Sequence, residues 1–207
     1  MYTHQKNYLI AGKATGDAKG VLVMLHGRGA TASGMINLAD ELNVCELAIY
    51  APQANHNTWY PQSFLSPEEE NQPALNSAFE IIGQVVDDIH HAGFSNEKIY
   101  FLGFSQGACL TLEFVARNAS RYGGVVAFTG GLIGDSLNLQ NYNGDFAGTP
   151  ILIATGDPDP HVPLSRVEES VRQLQAQNGN VKLQIYKGRP HSINHNELSL
   201  ANEWVFK

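Results

Sequence analysis

The chain has 207 residues, enough for one sizeable hydrophobic core and short of two ordinary domains. Hydrophobic residues make up 43% and charged residues 16%, the balance of a globular protein in water, and the net charge of −7 comes from scattered acids. That scatter argues against a nucleic-acid partner, which needs clustered Lys and Arg, and no apolar stretch approaches the roughly 20 residues that span a bilayer. Residues 1–8 lack the apolar segment of a signal peptide. The two cysteines, Cys45 near an apolar strand and Cys109 within a helix, read as reduced core residues, and a cytoplasmic protein is expected.

Strand and helix patterns alternate along the whole length. This predicts an α/β fold in which residues 1–207 form a single domain, with a mostly parallel central sheet and helices on both faces. A first strand is expected near residues 7–11. Residues 21–25, Val-Leu-Val-Met-Leu, form a continuous apolar run, as in a strand buried on both sides. His26-Gly27-Arg28-Gly29-Ala30 follows, then a helix with Met35, Leu38, Ala39 and Leu42 on its apolar face. Residues 47–50 read as a strand stopped by Pro52. The pattern breaks over residues 53–73, which hold Trp59, Tyr60, Phe64, Leu65, three prolines and the acid run Glu68-Glu69-Glu70. A connection this long is often functional or mobile. Its aromatic residues either line a substrate pocket or tuck over the core, and the acids read as a solvated face.

An amphipathic helix carries Leu75, Ala78, Ile82, Val85, Val86 and Ile89 at helical spacing, with Gly93 just past its end. Residues 98–102 then read as a buried strand. Gly103-Phe104-Ser105-Gln106-Gly107 comes next, and residues 108–116 read as a helix with Ala108, Leu112 and Val115 on one face. Residues 124–128 are a further strand, running into Thr129-Gly130-Gly131 at the same sheet edge. Residues 135–148 read as a surface excursion. Residues 150–154 form a strand ending in Thr155-Gly156-Asp157-Pro158-Asp159-Pro160-His161-Val162-Pro163. A helix with Leu164, Val167, Val171 and Leu174 follows. Val181, Leu183 and Ile185 alternate with polar residues, which predicts a strand near a sheet edge. Gly188-Arg189-Pro190-His191-Ser192 leads to a last helix presenting Leu198, Ala201 and Val205.

A G-x-S-x-G sequence between a strand and a helix is the pattern of a nucleophile elbow, whose tight turn needs small residues around the serine. It sets the hydroxyl at the positive end of a helix, where developing negative charge is favoured. Serine needs a base to take its proton, usually a histidine held in one tautomer by a carboxylate. The order Ser105, then Asp157 or Asp159, then His191 suits that arrangement, each group standing just after an expected strand. The residues alone do not choose between the two aspartates. An ester-cleaving site also needs oxyanion donors. The amide of Gln106 follows the nucleophile, and the amide of Arg28, between two glycines, is the candidate second donor. His191 and His195 are four apart, a spacing that suits a metal on a helix, but no third ligand set accompanies them, so no metal is expected. Residues 27–34 lack the Gly-Lys-Ser/Thr of a nucleotide loop.

With these motifs in place, the chain resembles the small carboxylesterase, phospholipase and acyl-protein thioesterase branch of the α/β-hydrolases over nearly its whole length. The likeness rests on Leu25-His26-Gly27-Arg28-Gly29, Asn57-Thr58-Trp59-Tyr60, Gly103-Phe104-Ser105-Gln106-Gly107, the stretch from Gly156 to Pro163, and His191. It implies a triad of Ser105, Asp159 and His191, selecting Asp159 over Asp157 because Asp159 directly precedes x-x-Val-Pro. It implies an oxyanion hole from the Arg28 and Gln106 amides, and an acyl pocket bordered by the loop of Trp59 and Tyr60. It implies cleavage of small-molecule carboxylic esters, thioesters or lysophospholipids through an acyl-enzyme, and it leaves a homodimer open. The triad chemistry needs no cofactor, and no long insertion between strands offers a separate cap domain. Two other readings are a hydrolase of lactones or ring-cleavage products, and a non-catalytic binding protein on the same scaffold. Many relatives have leucine where this chain has Arg28. The added cation suggests substrates bearing a carboxylate or phosphate; the bland alternative is a side chain that turns outward or pairs with the acids of residues 68–70.

Overall fold

The computed structural model describes residues 2–207. Its seven strands, among those residues, form one sheet: β1 (Tyr8–Gly12), β2 (Gly20–Leu25), β3 (Leu47–Pro52), β4 (Ile99–Phe104), β5 (Gly124–Phe128), β6 (Pro150–Asp157) and β7 (Asn180–Lys187). The order is β1-β3-β2-β4-β5-β6-β7. Only β1 is antiparallel to its neighbour. The expected mostly parallel sheet is present, with β7 at an edge as its alternating pattern predicts. The first strand begins at Tyr8, one residue later than expected.

Both faces of the sheet are covered, and the strands divide their side chains between two cores. Val21, Val23 and Leu25 of β2 face a layer made by α2 (Ala74–His91), α3 (Gln106–Arg117) and α4 (Leu164–Ala176). Leu22 and Met24 face the other layer, made by α1 (Ala32–Leu38) and α5 (His195–Trp204). This explains the unbroken apolar run of β2: a period of two with both faces buried leaves no polar position.

Two expectations change. The helix expected to run through Leu42 ends at Leu38, passes through a 3-10 turn at Ala39–Glu41 and becomes extended at Leu42. That turn lets Ala39, Leu42 and Val44 pack with Met35 in one core. The stretch 135–148 is not wholly superficial: Tyr142 and Phe146 are buried, the former against Glu113 of α3. Among the described residues, no helix is long and apolar enough to cross a membrane.

Candidate active site

The centre of the site is the junction of β4 and α3. Ser105 has φ 53° and ψ −118°, a left-handed backbone that non-glycine residues rarely hold. It is fixed from both sides, its N–H donating to Phe128 O at 3.0 Å and its carbonyl accepting from Cys109 N at 3.0 Å. The glycines of the motif are explained by space. A Cβ on Gly107 would collide with the Leu25 carbonyl at the end of β2, and one on Gly103 with the Gly107 backbone. Backbone therefore meets backbone beneath the serine, at the carboxyl ends of the central strands, where open α/β sheets place their ligands.

Three loops converge there. Ser105 Oγ lies 2.8 Å from His191 Nε2, and His191 Nδ1 lies 2.8 Å from Asp159 Oδ2. A carboxylate only accepts, so Nδ1 carries the proton and Nε2 accepts from the serine hydroxyl. Asp159 is held in turn, its Oδ1 accepting from the amides of His161 at 2.9 Å and Val162 at 3.0 Å. Burial pushes the Asp159 carboxyl up, but the His161 amide, the His191 ring and the Val162 amide outweigh it, and it stays below the usual carboxylate range. Asp157 does not reach His191; it ends β6, and its backbone carbonyl accepts from Gly188 N at 2.8 Å. His191 lies ahead of α5, whose N-cap is Asn194, so His191 and His195 do not share a helix.

The strand-to-helix turn after β2 passes directly beside the elbow: a Cβ on Gly27 would sit 3.4 Å from Ser105 Cβ. The amides of Arg28 and Gln106 have no protein acceptor among the described residues. The turn is braced by His26, fully buried, whose Nδ1 donates to Gly27 O at 2.8 Å and whose Nε2 accepts from Ala54 N at 3.1 Å. Gly29 N donates to Asn57 O at 2.7 Å. Burial holds the His26 imidazole below its ordinary pKa, which suits this neutral tautomer.

Residues 53–73 run over this turn as an ordered wall. The Gln106 side chain is their fastener: Oε1 accepts from Trp59 N at 2.8 Å and Thr58 Oγ1 at 3.2 Å, and Nε2 donates to Tyr60 O at 2.8 Å. Trp59, expected at the pocket wall, lies behind it. It is fully buried, its indole N–H donates to His26 O at 2.8 Å, and its ring rests against His26 and His4. An indole there satisfies its one donor and fills the space under the turn, so it does not border the cavity. Tyr60 does line it.

A cavity of about 740 Å³ opens over Ser105 and His191, with Tyr60, Phe64, Leu65 and Val162 on its walls. Arg28 stands at its rim, exposed, and its side chain does not pair with the acids of residues 68–70. It bonds to Thr58 Oγ1 at 3.0 Å, Pro61 O at 3.0 Å and Gln62 O at 2.7 Å, while Glu68 pairs with Arg117 at 2.9 Å. Two further groups were not legible in the sequence. Arg189, nearly buried, donates to the carbonyls of Pro190 and Ser192, the residues on either side of His191. It also bonds Thr129 Oγ1 at 2.6 Å and faces the buried Glu197 at 3.5 Å. Glu113, on α3 and fully buried, binds Arg117, Tyr142 and the Ile133 amide.

An open α/β sheet, an elbow serine and a hydrogen-bonded histidine and aspartate at the strand ends define the α/β-hydrolase class. Residues 7–207 match the model of the phospholipase/carboxylesterase family, and the chain belongs to that family. It is 30% identical to acyl-protein thioesterase 1 of Saccharomyces cerevisiae, over 92% of this chain and 93% of that one. It is 29% identical to the probable carboxylesterase SOBER1-like of Arabidopsis thaliana, a match over 68% of this chain that spans 53% of that relative's length. Among solved structures it resembles a phospholipase/carboxylesterase from Dyadobacter fermentans, with TM-score 0.99 and 54% identity over 100% of this chain and 99% of that one. The carboxylesterase of Bacillus cereus, at 21% identity, shares the fold with TM-score 0.77 over 96% of this chain and 92% of that one.

Proposed function

We propose that the protein hydrolyses carboxylic esters, with thioesters and lysophospholipids as alternative acyl donors, through Ser105, His191 and Asp159. The observation that carries this reading is the unbroken hydrogen-bonded line from Ser105 Oγ through the His191 ring to Asp159. Ser105 Oγ attacks the carbonyl carbon while its proton passes to His191 Nε2. The oxyanion takes hydrogen bonds from the Arg28 and Gln106 amides. His191 then gives its proton to the leaving oxygen or sulfur as that bond breaks. Water enters, loses a proton to Nε2 and releases the acid; the proton returns to Ser105. Asp159 keeps Nδ1 protonated and stabilises the imidazolium.

Tyr60, Phe64 and Leu65 are the apolar wall for the acyl chain in this reading. Trp59 supports the wall from behind. One sheet running through residues 8–187 supports a single domain over residues 1–207, and the free cysteines Cys45 and Cys109 suit a cytoplasmic location. Hydrolysis of p-nitrophenyl esters from acetate to decanoate, with Ser105→Ala beside the parent, tests the reading. Activity that disappears in the variant and peaks at one chain length is the expected result. A folded parent inert toward every ester would overturn it.

A further inference from the structure

The rim of the cavity differs in charge from the rest of the molecule. The chain carries 20 acidic and 13 basic residues, yet no Asp or Glu lines this cavity. Its titratable wall consists of Arg28 and His161 together with His191, Tyr60 and the buried Cys109. Arg28 is exposed but not loose. Three acceptors on residues 58–62 use three of its five N–H donors and fix the plane of the guanidinium, which also lies 6.0 Å from the Tyr60 ring centroid. The remaining two donors, one of them on Nε, have no protein acceptor among the described residues. His161 also lines the cavity, edge-on to His191 with ring centroids 5.0 Å apart, and its ring makes no hydrogen bond among the described residues.

A fixed guanidinium with spare donors and no carboxylate beside it is a site for an anion. Its planar geometry matches a carboxylate, and charge-assisted bonds to it exceed neutral ones. We infer that this site selects esters carrying a carboxylate within reach of the scissile carbonyl, bound at the rim by the Arg28 side chain, with His161 as a second polar group lining the same cavity. The inference rests on the hydrolase reading and narrows it to anionic esters. The backbone amide of Arg28 serves the oxyanion while its side chain reads the substrate, so one residue couples catalysis to selectivity.

The test compares p-nitrophenyl hemiglutarate, which has a carboxylate at the end of its acyl chain, with neutral p-nitrophenyl valerate. The readout is the quotient of their kcat/KM values, because substitution at Arg28 also loosens residues 58–62 and lowers both rates. The parent is expected to favour the hemiglutarate by about tenfold, the range of a charge-assisted bond discounted for exposure. Arg28→Gln should bring the quotient near one, Arg28→Lys should restore part of it, and 0.5 M salt should shrink it in the parent. His161→Asn should lower it by a smaller factor. A parent quotient near one, or a quotient unchanged in Arg28→Gln, overturns the inference while leaving the hydrolase reading standing. Binding of glutarate to Ser105→Ala by calorimetry gives a reading without turnover. Binding lost in Ser105→Ala/Arg28→Gln supports the inference even if the esters are not cleaved, and no glutarate binding to Ser105→Ala contradicts it.

Discussion

The two sides of the cavity are built on opposite principles. The back of the cavity rests, behind its lining residues, on Trp59, His26 and the Gln106 side chain, all buried, with each polar atom paired to a backbone group. Its rim is Arg28 and His161, both exposed, with donors left over. A buried polar group without a partner costs about 1–3 kcal/mol, so the back wall must be complete to be stable. The rim faces water and can leave groups unpaired at little cost until a substrate meets them. Ser105, His191 and Asp159 stand between: Asp159 is fixed like the wall, whereas His191 is reached from the cavity. On this contrast, changes at the centre stop chemistry, changes to the wall lower stability and rate together, and changes at the rim alter selectivity.

The largest expected effect is at the centre. Ser105→Ala and His191→Ala should each lower kcat by about 10⁴-fold or more, and combining them should add little, because the groups act as a unit. Asp159→Asn should cost about 10³–10⁴-fold by favouring the wrong tautomer, read as kcat in the same ester assay. Additive losses in the double variant would break the claim that these residues act together.

Next comes the support of the histidine loop. Arg189→Ala removes the donor shared by the carbonyls flanking His191 and leaves Glu197 buried without its cation. Losing one partner of such a pair destabilises by about 3–5 kcal/mol, which chemical denaturation measures. The kinetic signature is a fall in kcat with KM held, because His191 loses its aim while the cavity walls remain. A rise in KM alone would assign Arg189 to the wall. Gln106→Ala should be milder, about 1–3 kcal/mol, from leaving Trp59 N without a partner while Tyr60 O still accepts from Thr58 Oγ1 at 3.2 Å. Its backbone amide survives, so the stability loss should exceed what the oxyanion step loses.

The last effect, absent at neutral pH, is a pH dependence. Burial pushes the Cys109 thiol from 9.0 up to about 12. The folded chain therefore keeps a proton that the unfolded chain releases over that interval. This contribution to stability is complete below about pH 9 and is lost as pH rises toward 12, by about 1.4 kcal/mol per pH unit for one proton. Cys109→Ala should flatten the decline by that one proton in alkaline denaturation curves. In the parent, iodoacetamide should modify the exposed Cys45 well before Cys109, although Cys109 borders the cavity. Equal reactivity would place Cys109 at the rim.

What the sequence displays and what it hides follow the same division. The strands were legible because a parallel sheet buried on both faces writes an unbroken apolar run, as in Val21 to Leu25. The elbow was legible because Gly103 and Gly107 are demanded by backbone contact. The Gln106 fastener, the hidden place of Trp59 and the grip of Arg189 were not. Each is a side chain bonding to backbone tens of residues away or to a buried charge, and such bonds leave no local period. The end of α1 was misplaced because Leu42 continues the apolar pattern while its backbone has left the helix.

The most direct measurement is the intact mass of the protein after reaction with a fluorophosphonate, followed by peptide mapping. The account predicts one adduct, on Ser105, that forms quickly in the parent, far more slowly in His191→Ala, and not at all in Ser105→Ala. A folded parent that stays unlabelled, or an adduct on another residue, would contradict it.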